Sequence, residues 1–212
     1  MQNKIKAIIF DMDGVLLDSI QANAVYFERI FKKLKVKYQQ KDYIRLNHMT
    51  MWDIMKHFTK ETDEAQIKRL FEFGLKIPYP YNLVKIPRDS KKVLSLLSKK
   101  FRLGIVTARQ KKGVESVLKR YGYRKYITHI VKFGDYKHPK PNPEPLRLAL
   151  KQMKVKPSEA LYIGDMRADI LCAKAAGVRS VLYRNHYSDI KKEKPDFTVT
   201  SFKTLFQIIH AI

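Results

Sequence analysis

Along the chain the spacing of apolar positions shifts between strand-like and helical patterns, and the shifts mark its elements. Ile5, Ala7, Ile8, Ile9 and Phe10 form a β-branched, almost continuous apolar run, which predicts a buried strand over Lys4 to Phe10. Asp18 and Ser19, both good N-cap residues, precede Ile20, Ala24, Phe27, Ile30, Phe31 and Leu34 at helical spacing. Two or three further helices are expected next, one through Met51, Ile54, Met55 and Phe58 and another through Ile67, Leu70, Phe71 and Leu75. No strand pattern returns until beyond residue 100, and Pro78-Tyr79-Pro80 with Pro87 reads as a return linker. Roughly 70 residues of helix thus interrupt the chain after its first strand, a size that suits a small inserted domain.

From residue 88 helices and strands alternate. Helical faces carry Val93, Leu94, Leu96 and Leu97, then Val114, Val117 and Leu118, then Leu146 to Met153, then Ala168 to Ala176 closed by Gly177. Between them lie strand patterns at Leu103 to Thr107, His129 to Val131, Ala160 to Ile163 and Ser180 to Tyr183. Such alternation predicts an α/β fold, a Rossmann-like and mostly parallel sheet flanked by helices, with an inserted α-helical cap. The expected division is residues 1–16 and 87–212 for the core and 17–86 for the cap.

Composition narrows the class. A chain of 212 residues, 45% hydrophobic, has enough apolar material for a core and is not a disordered protein. No apolar stretch approaches the ~20 residues that span a bilayer, and no secretory pattern opens the sequence, so no membrane partner and a cytoplasmic location are expected. The single cysteine, Cys172, agrees with a reducing compartment; its alanine neighbours suit a buried packing residue. Forty-three Lys and Arg against twenty Asp and Glu give a formal charge of +23. That charge raises nucleic-acid binding as an alternative, but the basic residues are scattered in pairs such as Lys32-Lys33 and Lys191-Lys192. A solvated basic surface that also steers anionic substrates is the preferred reading.

The chemistry concentrates where apolar runs end. Asp11 and Asp13 follow the first run, two residues apart on one side of an extended chain, with Gly14 permitting a sharp turn. One carboxylate can attack phosphorus while the other transfers a proton; alone, the pair reads equally as a solvated turn or a calcium loop. Thr107 ends the second run and, with the adjacent Ala108 backbone, can bind phosphoryl oxygens, though it can equally cap the next helix. Lys140 sits among Pro139, Pro141, Pro143 and Pro145, which stiffen the backbone around an ammonium group. Gly164-Asp165 ends another run with Asp169 a helical turn later, a pair that can bind a cation with oxygen ligands or simply cap a helix. Arg109 can grip a substrate carboxylate or phosphate in bidentate fashion, or lie on the surface. His48 can contact the leaving group, or pack with Trp52 and Met55.

Taken together, Asp11-Met12-Asp13-Gly14-Val15, Thr107, Lys140 and Gly164-Asp165 with Asp169 occur in the order, and at the separations of 96, 33 and 25 residues, of the haloacid dehalogenase-like hydrolase superfamily. The chain resembles its members with a small helical cap, phosphoglycolate phosphatases above all. The resemblance implies a Mg²⁺-dependent phosphatase with Asp11 as nucleophile, Asp13 as general acid and base, and Thr107 and Lys140 on the phosphoryl group. It implies a cation held by Asp11, the Asp13 carbonyl, Asp165 and Asp169; the expected substrate contacts are Gly14, Thr107, Ala108, Arg109, His48 and Lys140, of which Arg109 and His48 depart from the family's pattern. Asp18 is left to cap the first helix. The implied partner is a small anionic phosphorylated metabolite, acted on by a monomer or weak homodimer. A β-phosphoglucomutase-like mutase, a pyrophosphatase and a basic nucleic-acid-binding module are the alternatives.

Overall fold

A computed structural model describes residues 4–47 and 49–212. They divide into two compact units, residues 4–17 with 86–212, and those within 18–85. The first is built on a six-stranded parallel sheet in the order β3-β2-β1-β4-β5-β6. Its strands are β1 (Ala7–Phe10), β2 (Arg102–Val106), β3 (His129–Val131), β4 (Ala160–Gly164), β5 (Arg179–Tyr183) and β6 (Phe197–Val199). The helices of this unit are α5 (Ser90–Leu97), α6 (Lys111–Arg120), α7 (Glu144–Met153), α8 (Arg167–Ala176) and α9 (Phe202–Ala211). The alternation of sequence thus becomes a parallel sheet covered by helices, as expected of an α/β protein.

The side chains of β1 are fully buried because it is the inner strand between β2 and β4, in register Phe10 with Ile105 and Ile163. Successive side chains leave opposite faces. Ala7 and Ile9 join Val106, Tyr162, Leu146, Ala149, Met153, Cys172 and Ala173 in one cluster, which seats α7 and α8. On the other face Tyr183 packs on Phe202 of α9, which itself packs on α5. β1 is shorter than the predicted strand: before Ala7, Lys6 still pairs through backbone bonds with Glu159 and Arg102. Neither β6 nor α9 is predicted. β6 has only three residues, whereas α9 carries a legible signal, since Ser201 caps it and Phe202, Leu205 and Ile209 form one buried face.

The second unit holds α1 (Ile20–Lys33), α2 (Gln40–Leu46), α3 (Met51–Thr59) and α4 (Glu64–Leu75). Its core is aromatic. Phe27 stacks on Tyr43, and Phe31 and Tyr38 meet Phe58, all with ring centroids 5.0–5.3 Å apart. The Tyr26 hydroxyl donates to the Gly74 carbonyl at 2.8 Å, so the buried phenol is satisfied. Trp52 packs on Phe71. The N-cap of α1 falls at Ser19 and not at Asp18, whose backbone instead pairs with Lys85 in both directions, at 2.8 and 3.0 Å. That expectation is corrected: a residue pinned in a two-way backbone pair lies outside the helix start.

Candidate active site

Strand ends bring the motif residues to one edge of the sheet. Asp11 follows β1 and its N–H donates to the Ile163 carbonyl of β4 at 2.8 Å, so Asp11 and Asp165 emerge from neighbouring strands. Thr107 follows β2, and its N–H reaches Val131 at 2.9 Å. The capping alternative fails for Thr107 and Asp165, neither of which is an N-cap, but holds for Asp169, the first-turn acid of α8 whose carboxylate accepts from the N-cap N–H. α6 has Gln110 at its N-cap, and the Thr107 hydroxyl accepts from the Arg109 N–H at 3.2 Å. α8 has Met166 at its N-cap, and Asp169 Oδ2 accepts from the N–H groups of Asp165 and Met166 at 3.2 and 3.1 Å.

Asp11, Asp165 and Asp169 are buried, and each offers a carboxylate oxygen within 4.8 Å of the others. One cation faces them closely: Lys140 Nζ lies 2.6 Å from Asp169 Oδ1 and 3.2 Å from Asp11 Oδ1, with its side chain 11% exposed. The Tyr162 hydroxyl accepts from Lys140 at 3.1 Å and donates to Asp169 Oδ1 at 3.0 Å. Three acids against one ammonium leave an excess of negative charge, and the titration of the cluster reflects it. Burial drives Asp11 upward, Lys140 opposes and Asp169 and Asp13 add to the rise, for a net pKa of about 7. Burial, then Asp169 and Asp11, push Asp165 well above the usual range. Burial pulls Lys140 down, but Asp11 and Asp169 outweigh it and hold the ammonium charged.

Asp165 Oδ1 is buried with no hydrogen-bond partner. An orphaned carboxylate oxygen is costly, roughly 1–3 kcal/mol or more. A hard divalent cation with all-oxygen ligands would satisfy it and offset the surplus charge, so the residues fit such an ion. Two glycines make the cluster geometrically possible. Gly14 has φ +79°, and a Cβ there would fall 2.0 Å from Asp165 Oδ2; a Cβ on Gly164 would fall 2.2 Å from the Asp169 Cβ.

The other expected contacts are distributed differently. The Arg109 fork is engaged by Asp13, Nε to Oδ2 and Nη2 to Oδ1, both at 2.6 Å. The predicted substrate anchor therefore grips the predicted proton-transfer group. Ala108 is exposed beside it. His48 lies outside the described residues. Lys140 belongs to a loop held by Glu144, whose carboxylate accepts from the N–H groups of Lys137 and His138 at 3.0 and 2.9 Å. Two participants escape sequence reading: Tyr162, which looks like an ordinary buried strand residue, and Asn185. Asn185 Nδ2 donates to Asp165 Oδ2 at 2.9 Å and to the Gly14 carbonyl at 3.1 Å. Its only signal is its place just after a strand.

The fold and the cluster define a class: an α/β enzyme with buried acids and one lysine at the carboxyl edge of a parallel sheet, the edge where such sheets bind ligands. A model of the haloacid dehalogenase-like hydrolase family matches residues 8–183, and the chain belongs to that family. It is 30% identical to a phosphoglycolate phosphatase of Vibrio vulnificus, over 98% of this chain and 97% of the relative. It is 28% identical to the pyrophosphatase PpaX of Halalkalibacterium halodurans, over 97% of each. Among solved structures, a subfamily IA hydrolase of the same superfamily from Geobacter sulfurreducens superposes with a TM-score of 0.73 at 25% identity, covering 97% of this chain and 96% of that one.

Proposed function

We propose that this chain is a Mg²⁺-dependent phosphatase that hydrolyses a small phosphomonoester of the phosphoglycolate type through an aspartyl-phosphate on Asp11. The observation that carries the reading is the pairing of buried Asp11 with Lys140 beside the orphaned Asp165 oxygen. Attack by a carboxylate on a phosphate ester brings like charges together, and such a reaction depends on positioning and charge compensation. Lys140 opposes the rise that burial gives the Asp11 pKa and offsets the incoming phosphoryl charge. An Asp11 oxygen forms the bond to phosphorus as the ester P–O bond breaks, and Asp13, protonated on one oxygen and keeping only the other on Arg109, gives that proton to the departing oxygen. Asp13 then takes a proton from the water that attacks phosphorus, the acyl-phosphate P–O bond breaks, and Asp11 is regenerated with inorganic phosphate. Thr107 and the Ala108 backbone bind phosphoryl oxygens, and Arg109 holds Asp13.

The residues assigned to Mg²⁺ are Asp11, the Asp13 carbonyl and Asp165, where the ion would neutralise phosphoryl charge. Asp169, both of whose oxygens already accept hydrogen bonds, acts through water and by holding Lys140. Residues 17–86 form a cap that selects the leaving group, with His48 a contact to it. The setting is the cytoplasm, which the lone buried Cys172 suits, and the active species is a monomer or weak homodimer; among the described residues no helix is long and apolar enough to cross a membrane. Pyrophosphate is the second substrate reading, supported by the similarity to PpaX.

The test is phosphate release from phosphoglycolate, pyrophosphate, β-glucose 1-phosphate, a nucleotide and an aryl phosphate, with and without Mg²⁺, for the wild type and Asp11→Asn. Mg²⁺-dependent release that disappears in Asp11→Asn supports the chemistry, and the preferred compound names the leaving group. Release that survives Asp11→Asn sinks the covalent mechanism.

A further inference from the structure

We infer that Asn185 is a positioning residue for the cation site: its amide decides which oxygen of Asp165 faces the ion and so sets the site's affinity. This rests on reading Asp11, the Asp13 carbonyl and Asp165, with Asp169 beside them, as a divalent-cation site. Asn185 lies in the loop after β5, and its orientation is determined by hydrogen bonds on its other side. Asn185 Oδ1 accepts from the Tyr187 N–H at 2.8 Å, and its own N–H donates to Ser188 Oγ at 3.0 Å. With Oδ1 committed to a backbone donor, Nδ2 must point the other way. There it bridges two loops, giving hydrogen bonds to Asp165 Oδ2 and to the Gly14 carbonyl. Asp165 Oδ1 is then the oxygen without a partner.

A carboxylate turns readily about its last bond, since the two oxygens are chemically equivalent. The amide removes that equivalence. It occupies Oδ2, leaves Oδ1 for the cation, and ties the loop after β1 to the loop after β4 so that Asp11 and Asp165 keep their separation. Partners of metal ligands commonly govern affinity in this way, by roughly 10–100-fold. None of the sequence motifs contains Asn185, and its Oδ1, the atom that could ligate an ion, is taken by the Tyr187 N–H.

The experiment measures Mg²⁺ and Mn²⁺ dissociation constants by titration calorimetry, without substrate, for the wild type, Asn185→Ala and the similarly sized Asn185→Leu. Both variants should bind about 10–100-fold more weakly, with cation-free melting temperatures close to that of the wild type. Raising Mg²⁺ should then restore their turnover. A wild type that binds neither ion would overturn the cation site as a whole. Wild-type binding with unchanged constants in both variants would overturn the role of Asn185 alone.

Discussion

Replacing Lys140 by Met keeps most of the aliphatic stem and removes the ammonium that faces Asp11 and Asp169. Removing one partner of a buried ion pair typically costs about 3–5 kcal/mol. The cost should depend on pH, with a sign fixed by the acids. Burial raises Asp11 from 3.8 to about 7 in the folded protein, and Asp165 also rises, first through burial and then through Asp169 and Asp11. For Asp11 alone that is on the order of 4 kcal/mol at roughly 1.4 kcal/mol per pH unit. A carboxyl raised by folding stabilises the fold fully below its unfolded value, and that contribution is lost as pH rises through the folded value. The cation-free wild type should therefore lose stability between pH 5 and pH 8. Without Lys140, which holds Asp11 down, the penalty should be greatest at pH 8, at about 3–5 kcal/mol, and should shrink toward pH 5 as protons neutralise the acids. Urea denaturation followed by circular dichroism in EDTA, at both pH values, measures the difference. A loss below about 1 kcal/mol at pH 8, or an equal loss at both, would refute the argument that Lys140 compensates the buried carboxylates.

Arg109→Lys cannot reproduce the fork that holds both Asp13 oxygens; kcat for an alkyl phosphomonoester should fall about tenfold with KM unchanged, part of what proton transfer contributes, and less for an aryl phosphate. A raised KM with unchanged kcat in steady-state assays would place Arg109 on the substrate instead. Tyr123→Phe removes the hydroxyl that bonds the Leu16 carbonyl at 3.1 Å and Ser90 Oγ at 2.9 Å in the interior. It should lower unfolding free energy by about 1–3 kcal/mol, and an unchanged urea midpoint would contradict that.

How far the sequence speaks depends on whether a residue's environment is local. β1 and β4 are legible because a strand buried on both faces must be apolar throughout, and Asp11, Thr107 and Asp165 stand out as polar residues ending such runs. α2 has a single buried side chain, Tyr43, so periodicity gives it no face to display. Lys140 reads as one lysine among many until the family's order of motifs isolates it. The Arg109–Asp13 pair joins residues 96 apart, Tyr162 reaches from β4 to the Lys140 loop, and Asn185 bonds across two other loops; such contacts arise from the sheet's strand order, which no local pattern encodes. Asp18 misled because its type favours capping, while its backbone is held by Lys85 across the whole helical unit.

The strand order has a consequence for how the molecule comes into being. β1 is made first, yet its neighbours are β2, beginning at Arg102, and β4, beginning at Ala160. At about 5–20 residues per second of synthesis, β1 waits on the order of 5–20 seconds for its first partner, its apolar side chains and strand edges uncovered. The intervening helices can form in that interval, since their contacts are local. Asp11 meets neither Lys140 nor Asp165 until some 130 to 150 further residues have been added. A nascent chain stalled before residue 160 thus carries β1 with at least one edge uncovered and no acid cluster, which makes elongation the stage at which this protein depends most on protection from aggregation.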